Sequence, residues 1–206
     1  MIKKSFQNFK KLEISEKGMA LLAFSNKTQI EILKKLKVNE IVEILKYLDP
    51  TRTSKILRKL PTHKKARAIK KLEENIQEKI KMLLKFRHES IGAILSFDYI
   101  QVKKTDTVDD LHKLLCLYAR QSGKVPALLV IENGNLVGEV SLKDILVAKK
   151  NHTIVKLIKK NHQIHCDENE EEALNLFKKH PHSKIAVLSD DGSILGILHA
   201  DDILPY

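Results

Sequence analysis

A serine and an aspartate follow a glycine in the segment GEVSLKD, and a related arrangement returns 58 positions later as GILHADD. The first copy contains Ser141 and Asp144, and the second contains His199 and Asp202. Ser141 is predicted at a helix N-terminus, where free backbone N–H groups attract anions. A neutral histidine donates one hydrogen bond, and a protonated one can pair with phosphate. Both copies are therefore candidate anion sites, although Ser141 and Asp144 could also serve only to cap and solvate the helix.

Histidine and cysteine residues are frequent between positions 162 and 182, which raises the question of a zinc site. His165 and Cys166 are adjacent in a predicted strand, so their side chains are expected on opposite faces. The sequence has no C-x-x-C or H-x-x-x-H spacing. It also has no Walker loop, Rossmann GxGxxG or nucleophile elbow. The sequence therefore favours neither a transition-metal site nor an enzyme.

The elements that position these residues form two copies of one unit, strand–helix–strand–strand–helix. Asn133-Gly134 is a strong hairpin signal between two strands of the first copy. Such a tandem duplication indicates two similar domains. The predicted strands are Tyr99–Val102, Pro126–Ile131, Leu136–Val140, Gln163–Cys166, Ile185–Leu188 and Ile194–Leu198. The predicted helices are Val108–Ala119 (capped by Thr105 or Asp106), Ser141–Lys150, Thr153–Lys160, Asp167–His180 and Ala200–Leu204.

The first half of the chain repeats every 12 residues, with one apolar column at Leu21, Leu33, Leu45, Leu57 and Ile69. Twelve residues of one continuous helix would rotate each column by about 120°, so no single apolar face would form. A short helix followed by a turn in each repeat restores a common face. The pattern therefore predicts a small solenoid, an architecture that buries its core by stacking repeats and commonly serves as a binding surface.

Proline and helix-capping residues mark the turns between the short helices of this 12-residue ladder. Pro50 and Pro61 interrupt the helical pattern, because proline disfavours a helical predecessor. Asn39, Thr51 and Asn75 share one column and are predicted to be helix N-caps.

The net charge of +11 belongs to the first half of the chain. Residues 1–90 contain 23 Lys and Arg against 10 Asp and Glu, whereas residues 91–206 contain 14 against 16. This asymmetry suits an anionic partner. The alternative explanation is a solvated lysine-rich surface.

Composition narrows the class of protein further. No apolar run approaches the roughly 18 residues that would span a bilayer, and no apolar segment follows the basic N-terminus as in a signal peptide. The two cysteines suggest a reducing compartment rather than a disulfide framework. We expect a cytoplasmic protein.

The doubled unit resembles a pair of CBS (cystathionine β-synthase-type) domains over roughly Phe97–Tyr206, because its copies keep the pattern G-h-x-S/T-x-x-D. The ladder followed by SIGAIL (Ser90–Leu95) resembles the cytosolic region of MgtE-type magnesium transporters, where a helical N-domain precedes an S-A-G-x-x-M junction. Ser90 and Gly92 match that junction, and Ile91 and Leu95 depart from it. The segments LVGEVSLKDIL and LGILHADDIL are close to the family's two CBS signatures.

The resemblance implies an α+β fold with a superhelical repeat of short α-helices followed by a tandem CBS pair of β-α-β-β-α units. We expect the N-domain over residues 1–90, the first CBS domain over 91–152 and the second over 153–206. The sequence ends at Pro205-Tyr206, where the resemblance would place the family's connecting helix and pore segments. The chain is thus expected to be a free-standing regulator or an excised cytosolic part.

The resemblance also implies a nucleotide site in each copy. In CBS pairs the late aspartate accepts hydrogen bonds from ribose hydroxyls, and the serine or threonine three residues earlier faces phosphate. These roles fall on Ser141 and Asp144 in the first copy and on His199 and Asp202 in the second. ATP or another adenine nucleotide is the expected ligand.

A magnesium site is implied in the same way. Mg²⁺ prefers oxygen ligands and often bridges carboxylates from different surfaces. The family-like candidates are Asp98, Asp201 and Asp202, together with the acids of 167–172. The alternative explanation of the acidic run is an ordinary helix start, where its charges complement the helix dipole.

The implied function is a non-enzymatic sensor that couples Mg²⁺ or nucleotide binding to domain rearrangement. It would form a homodimer through its CBS domains and act with the membrane domain of a magnesium transporter. The basic first half departs from the acidic N-domain typical of the family. The alternative is an interaction adaptor whose basic helical domain binds an acidic partner. Nucleic acid is not favoured, because the ladder lacks interleaved aromatic residues.

Overall fold

The computed structural model describes residues 2–181 and 184–203, and it confirms a helical first half followed by two α/β repeats. The chain divides into two compact units, Met1–Phe86 and Arg87–Tyr206. The first unit contains α1 (Ile2–Lys11), α2 (Ile14–Ala23), α3 (Asn26–Lys35), α4 (Val38–Leu45), α5 (Pro50–Leu57), α6 (Thr62–Ile69) and α7 (Glu74–Lys85). The second contains β1 (Tyr99–Val102), α8 (Val108–Ser122), β2 (Ala127–Glu132), β3 (Asn135–Val140), α9 (Leu142–Val147), β4 (His162–His165), α10 (Glu170–Lys179), β5 (Ile185–Leu188) and β6 (Ile194–Leu198).

The helices of the first unit begin every 12 residues from Ile2 to Glu74, which confirms the short-helix ladder. The predicted leucine column forms its core, since Leu21, Leu33, Leu45 and Leu57 are each at most 2% exposed. The short helices are therefore held by stacking against neighbouring repeats, as in other solenoids.

The predicted N-caps of the ladder are wrong by two residues. Asn39, Thr51 and Asn75 lie inside α4, α5 and α7 rather than ahead of them. The cap position of α5 is Asp49, whose side chain accepts a hydrogen bond from the backbone N–H of Arg52. A proline can open a helix at its first position, so Pro50 starts α5 and moves the cap back to Asp49.

A buried glutamine joins neighbouring repeats of this unit. Gln29 is 4% exposed, and its amide nitrogen donates to the carbonyls of Leu22 (3.1 Å) and Phe24 (2.6 Å) at the end of α2. Its carbonyl accepts a hydrogen bond from the Lys59 ammonium, which follows α5. Burial, followed by the nearby charge of Lys55, lowers the pKa of Lys59. One side chain thus satisfies two backbone carbonyls and one partly buried cation.

We expect Gln29→Leu to lower the free energy of unfolding of the helical unit by about 1–3 kcal/mol, because it leaves these polar groups without their partner. Gln77→Leu is the matched control, since Gln77 occupies the same repeat position, is half-buried and donates to one carbonyl, that of Leu72. Urea unfolding followed by circular dichroism measures both. Equal losses in the two variants would contradict the role of Gln29.

The second unit contains two three-stranded sheets of the same topology, β1-β2-β3 and β4-β5-β6. In each, the first two strands are parallel and the last two are antiparallel. The hairpin between β2 and β3 turns through Asn133 (φ 50°) and Gly134 (φ 83°), as the Asn-Gly pair predicts. The repeated strand–helix–strand–strand order is confirmed.

The chain that leads into each repeat pairs with the edge strand of the other repeat's sheet. The backbone of Lys159, which precedes β4, pairs with Glu139 in β3. In the corresponding way Ser96, which precedes β1, pairs with Ile197 in β6. Each sheet therefore gains an edge contact from the chain that leads into the other repeat, and the two repeats form one unit.

Several predicted elements are shorter in the structure. The linking helix Thr153–Lys160 is only a 3-10 turn over Ile154–Leu157. The last helix is a 3-10 turn over Ala200–Asp202, and its predicted end at Leu204 lies outside the described residues. The cap of α8 is Thr107 rather than Thr105 or Asp106.

Among the described residues, no helix combines the length and apolar character that crossing a bilayer requires.

Candidate functional site

The first repeat brings Ser141 and Asp144 together at the start of α9. The Ser141 hydroxyl donates to Asp144 Oδ2 (2.6 Å) and accepts from the Asp144 backbone N–H (3.1 Å). The ammonium of Lys159 lies 2.6 Å from the same carboxylate oxygen. The bonds from Lys159 and then Ser141 lower the pKa of the Asp144 carboxyl, which favours its ionised form. The pair is thus a helix cap with an added cation.

A cleft of about 370 Å³ opens beside Ser141. Its wall also includes Pro126, at the approach to β2, and Lys184, which belongs to the second repeat. The Lys184 ammonium donates to the carbonyl of Val125 (3.1 Å), and burial lowers its pKa. The cleft therefore joins the Ser141 hydroxyl of one repeat with a half-buried amine of the other.

The second copy of the motif differs in its backbone and in its exposure. His199 is half-buried between β6 and the 3-10 turn, and Asp201 is exposed on that turn. Asp202 closes the turn, but its side chain lies outside the described part of the structure. The roles of His199, Asp201 and Asp202 in ligand binding therefore stay predictions.

Asp98, a predicted magnesium ligand, contacts a cation and a tyrosine. Its carboxylate accepts from the Lys124 ammonium (2.6 Å) and from the Tyr118 hydroxyl (3.0 Å). Burial favours the protonated acid, but the bonds from Lys124, Tyr118 and Ser96 outweigh it and lower the pKa of Asp98. A magnesium ion at this carboxylate would compete with Lys124, so its binding here stays a prediction.

Burial and the charge of Asp98 raise the pKa of Tyr118 to about 12, above its ordinary value of 10.0. We expect Asp98→Asn to bring this pKa down towards 10, because the neutral amide no longer repels the phenolate. Since the folded-state pKa is raised, the stabilisation from the pair is present below pH 10 and is lost as the pH rises through about 12. NMR titration of ¹³Cζ-labelled tyrosine measures the change, with Tyr99, whose pKa burial raises, as an internal control. An unchanged Tyr118 titration in Asp98→Asn would contradict the assignment.

The acidic run 167–172 lies at the start of α10. Asn169 caps the helix by accepting from the backbone N–H groups of Glu171 and Glu172. Glu170 and Glu171 also line a cleft of about 280 Å³ together with His88 and Glu89. The run thus stabilises a helix start and, with Glu89, concentrates carboxylates around one cleft.

Sequence reasoning missed the cations of the site. Lys159 reaches Asp144 because its backbone pairs with Glu139 in β3, and Lys184 reaches the cleft from the second repeat. Neither lysine belongs to a motif. The contact of Lys159 follows from its backbone pairing with β3, and Lys184 reaches the Val125 carbonyl from the second repeat. The helix signal at Ser141 was overestimated, since α9 has six residues rather than the predicted ten.

Comparison with known proteins agrees with this arrangement. The model of the MgtE intracellular N domain matches residues 2–89, and the CBS domain model matches residues 91–151 and 156–206. The magnesium transporters MgtE of Thermus thermophilus and Enterococcus faecalis are each 25% identical to the chain, over 135 and 128 residues. These alignments cover 65% and 61% of the chain but only 30% and 28% of the transporters. The aligned part is thus less than a third of each transporter's length.

Two solved structures have the same fold. One is the cytosolic domain of the Mg²⁺ channel MgtE in complex with ATP, with a TM-score of 0.87, 21% identity and coverage of 98% of this chain and 84% of that one. The other is the soluble part of a magnesium transporter, with a TM-score of 0.77, 19% identity and coverage of 98% and 93%.

The paired repeats and their motifs define a tandem CBS-domain protein, and the chain belongs to the CBS domain family. Its helical first unit is an MgtE intracellular N domain, so the whole corresponds to the cytosolic region of MgtE-type magnesium transporters.

Proposed function

We propose that this chain is the regulatory sensor module of an MgtE-type magnesium transport system and binds an adenine nucleotide in the cleft beside Ser141. Two observations carry the proposal: Lys159 pairs with Asp144 beside Ser141, and Ser141 lines a cleft together with Lys184 and Glu139. Charged donors bind phosphate more strongly than neutral ones, and an ionised Asp144 suits ribose hydroxyls. The ATP complex of an MgtE cytosolic domain with this fold agrees with this ligand class.

A nucleotide bound at this site would replace some of the hydrogen bonds that Ser141, Asp144 and Lys159 now make. The Ser141 hydroxyl donates to Asp144, so phosphate binding would redirect that hydroxyl. Asp144 would keep its charge and exchange the hydroxyl of Ser141 for a ribose hydroxyl. Lys159, whose side chain is 61% exposed, can turn from Asp144 towards phosphate. Because α9 is short, side chains rather than a helix dipole supply most of the attraction.

We propose that Mg²⁺ is the second signal and binds at the acidic surfaces of the CBS pair. The candidates are Asp98, Asp201 and Asp202, and the cleft lined by Glu89, Glu170 and Glu171 adds three carboxylates from two segments. Clustered carboxylates repel one another until a cation screens them. Mg²⁺ would therefore favour arrangements that bring them closer.

Regulation requires that a ligand bind one arrangement of the protein more tightly than another. We propose that Mg²⁺ and nucleotide bias such an equilibrium between the N-domain and the CBS pair, on the cytosolic side of a transporter's membrane domain. This role needs no catalysis, which agrees with the absence of an enzyme motif in the sequence.

The test is to titrate the full chain with ATP and with Mg²⁺ separately, following thermal unfolding and the protease resistance of residues 86–100. A ligand at 100 times its dissociation constant stabilises the state that binds it by about 2.7 kcal/mol. We expect each ligand to raise the melting temperature and to change cleavage in this segment. No response to either ligand at millimolar concentration would refute the sensor function.

Exposed apolar side chains on α8 and α9 support a homodimer through the CBS pair. Leu117 on α8 is 55% exposed, and Leu146 and Val147 on α9 are 68% and 79% exposed. These two helices contact each other, so their side chains offer a shared apolar surface.

We expect Leu146→Glu and Leu117→Glu to convert a dimer into monomers, because each places a charge in the proposed interface. Sedimentation velocity measures the mass of each variant. Tyr47→Glu is the control, since Tyr47 is 55% exposed in the helical unit and lies outside this surface. A monomeric wild-type chain, or a dimer that persists in both variants, would contradict the proposed interface.

An adaptor that binds an acidic partner is the second candidate function. A cleft of about 510 Å³ in the helical unit supports it, because Lys34, Lys35, Lys37, His63, Lys64 and Arg67 all line it. The Lys64 ammonium is held by the carbonyls of Lys34 and Leu36. Poly-glutamate binding that weakens steeply with salt and falls in Lys37→Glu and Arg67→Glu would favour the adaptor. Binding that ignores both substitutions would exclude this cleft.

A further inference from the structure

The turn between β4 and α10 brings together three different metal-binding side chains. The ligand atoms of His165, Cys166 and Asp167 all lie within 4.8 Å of one another. Sequence reasoning expected His165 and Cys166 on opposite faces because it extended the strand to Cys166. The strand instead ends at His165, and the backbone N–H of Glu168 donates to the His165 carbonyl (3.2 Å). The turn that this bond closes removes the alternation and lets the side chains converge.

A carboxylate from a second loop orients the imidazole. His165 Nε2 lies 2.8 Å from Oδ1 of Asp190, which follows β5. Its Nδ1 accepts a hydrogen bond from the backbone N–H of Asp167 (3.3 Å). In the neutral ring this arrangement leaves the proton on Nε2 and puts the lone pair on Nδ1, so a metal bound at Nδ1 would replace the hydrogen bond from the Asp167 N–H. Metal-binding histidines commonly donate their second ring N–H to a carboxylate in this way.

The electrostatic environment of the thiol favours a cation. Cys166 is 5% exposed, and two carboxylates lie at the same turn, that of Asp167 among the candidate ligands and that of Asp190 2.8 Å from His165 Nε2. These two carboxylates would attract a dication. A bound metal would in turn compensate the charge of a thiolate.

We propose that His165, Cys166 and Asp167 bind a divalent transition metal, with zinc as the best match to the ligand set and Asp190 as the residue that positions the histidine. Thiolate and imidazole ligands suit zinc, whereas magnesium prefers oxygen ligands alone. Zinc bond lengths of about 2.0–2.3 Å require ligand atoms to be roughly 3.3–3.8 Å apart in a tetrahedral site. The three atoms lie within 4.8 Å of one another, so metal binding would require side-chain rotations that bring them closer. A fourth position would remain for water.

Metal binding at this turn would reach the segment that opens the CBS pair. The backbone N–H of Gly92 donates to the Cys166 carbonyl (2.8 Å), and that of Ile91 donates to the Glu168 carbonyl (2.9 Å). Fixing the turn would therefore also fix residues 91 and 92. The site thus gives the CBS pair a response to a metal other than magnesium, independent of the nucleotide cleft.

The experiment is Zn²⁺ titration of the full-length chain in excess Mg²⁺ without nucleotide, by calorimetry, together with Co²⁺ substitution read by visible absorption. We expect one metal per chain and a thiolate-to-cobalt charge-transfer band. Cys166→Ser should remove the band, and His165→Gln and Asp167→Asn should each weaken Zn²⁺ binding at least tenfold. Asp190→Asn should weaken binding about 10- to 100-fold through the orientation of His165.

Cys116→Ser is the matched control, because Cys116 is exposed and lies 3.9–4.0 Å from the ring nitrogens of His112 on α8. This pair is the competing source of a thiolate–metal signal. The proposal predicts an unchanged band in Cys116→Ser. Because Cys166 is buried, the partly exposed His165 supplies an independent test in a variant whose folding is checked by circular dichroism. No Zn²⁺ binding in excess Mg²⁺, or a band that follows Cys116, would overturn the proposal.

Discussion

Gly138→Ala is expected to lower the free energy of unfolding of the second unit by about 3 kcal/mol, the upper end of the range for overpacking. A β-carbon at this position would overlap the backbone carbonyl oxygen of Lys159 and the side chain of Ile158. The Lys159 backbone cannot move aside without breaking its two hydrogen bonds to Glu139, both 2.9 Å long. In the other repeat, a β-carbon at Gly196 would lie 2.6 Å from the carbonyl oxygen of Ser96. We therefore expect Gly196→Ala to lower the free energy of unfolding by a comparable amount.

The effect is measured by urea unfolding of the full chain and by hydrogen exchange at the amides of Glu139 and Lys159. Both amides should lose protection in Gly138→Ala. The control is Gly134→Asn, because Gly134 has open space around its α-carbon and a positive φ that asparagine tolerates. Wild-type protection of the Glu139 and Lys159 amides from exchange in Gly138→Ala would contradict the prediction. It would mean that a β-carbon fits between β3 and the backbone of Lys159.

The close approach of backbone from the opposite repeat explains why both motifs contain a glycine at this position. From sequence alone, Gly138 and Gly196 belonged to a candidate ligand motif together with the serine or histidine that follows. In the structure each glycine admits the backbone of the opposite repeat. The motif therefore combines a packing requirement with a candidate binding function, and a local pattern could not separate the two.

Periodic features were the most predictable part of the fold. The 12-residue repeat predicts the short-helix ladder of the first unit, because burial of one apolar column in short helices permits few other arrangements. Helix ends were less predictable. Asn39 and Thr51 are good capping residues by type, yet Asp49 with Pro50 determines the start of α5.

Non-local contacts could not be predicted from the sequence. Lys159 reaches Asp144 from 15 positions away in the chain, and Lys184 reaches the cleft from the other repeat. A strand boundary wrong by one residue was enough to separate His165 from Cys166. A side-chain direction alternates along a strand but not through a turn, so the error reversed the conclusion about a metal site.

Asp144→Asn is expected to weaken ATP binding about tenfold to a hundredfold. This prediction depends on the proposed nucleotide site, where the charged carboxylate accepts ribose hydroxyls. Hydrogen bonds to charged groups are worth about 1.5–3 kcal/mol, and each 1.4 kcal/mol is a factor of about ten in affinity. Calorimetric titration with ATP measures the loss. Lys159→Met should also weaken binding, and the salt dependence of the remaining binding should be shallower because one cationic contact is absent.

The alternative for Ser141 and Asp144 is helix capping alone, and the chain offers a matched control for it. Thr107 and Asp110 cap α8 with the same two bonds, at 2.6 Å between the side chains and 3.2 Å from the Asp110 backbone N–H to the hydroxyl, and Asp110 also accepts from the Thr107 backbone N–H (3.0 Å). Asp110→Asn should therefore cost at least as much stability as Asp144→Asn, about 1 kcal/mol, and leave ATP binding unchanged. Equal ATP affinities in wild type, Asp144→Asn and Asp110→Asn would reduce the Ser141 pair to a cap. A loss of ATP affinity confined to Asp144→Asn would assign Asp144 to the ligand, since the two bonds between the hydroxyl residue and the aspartate are common to both helices.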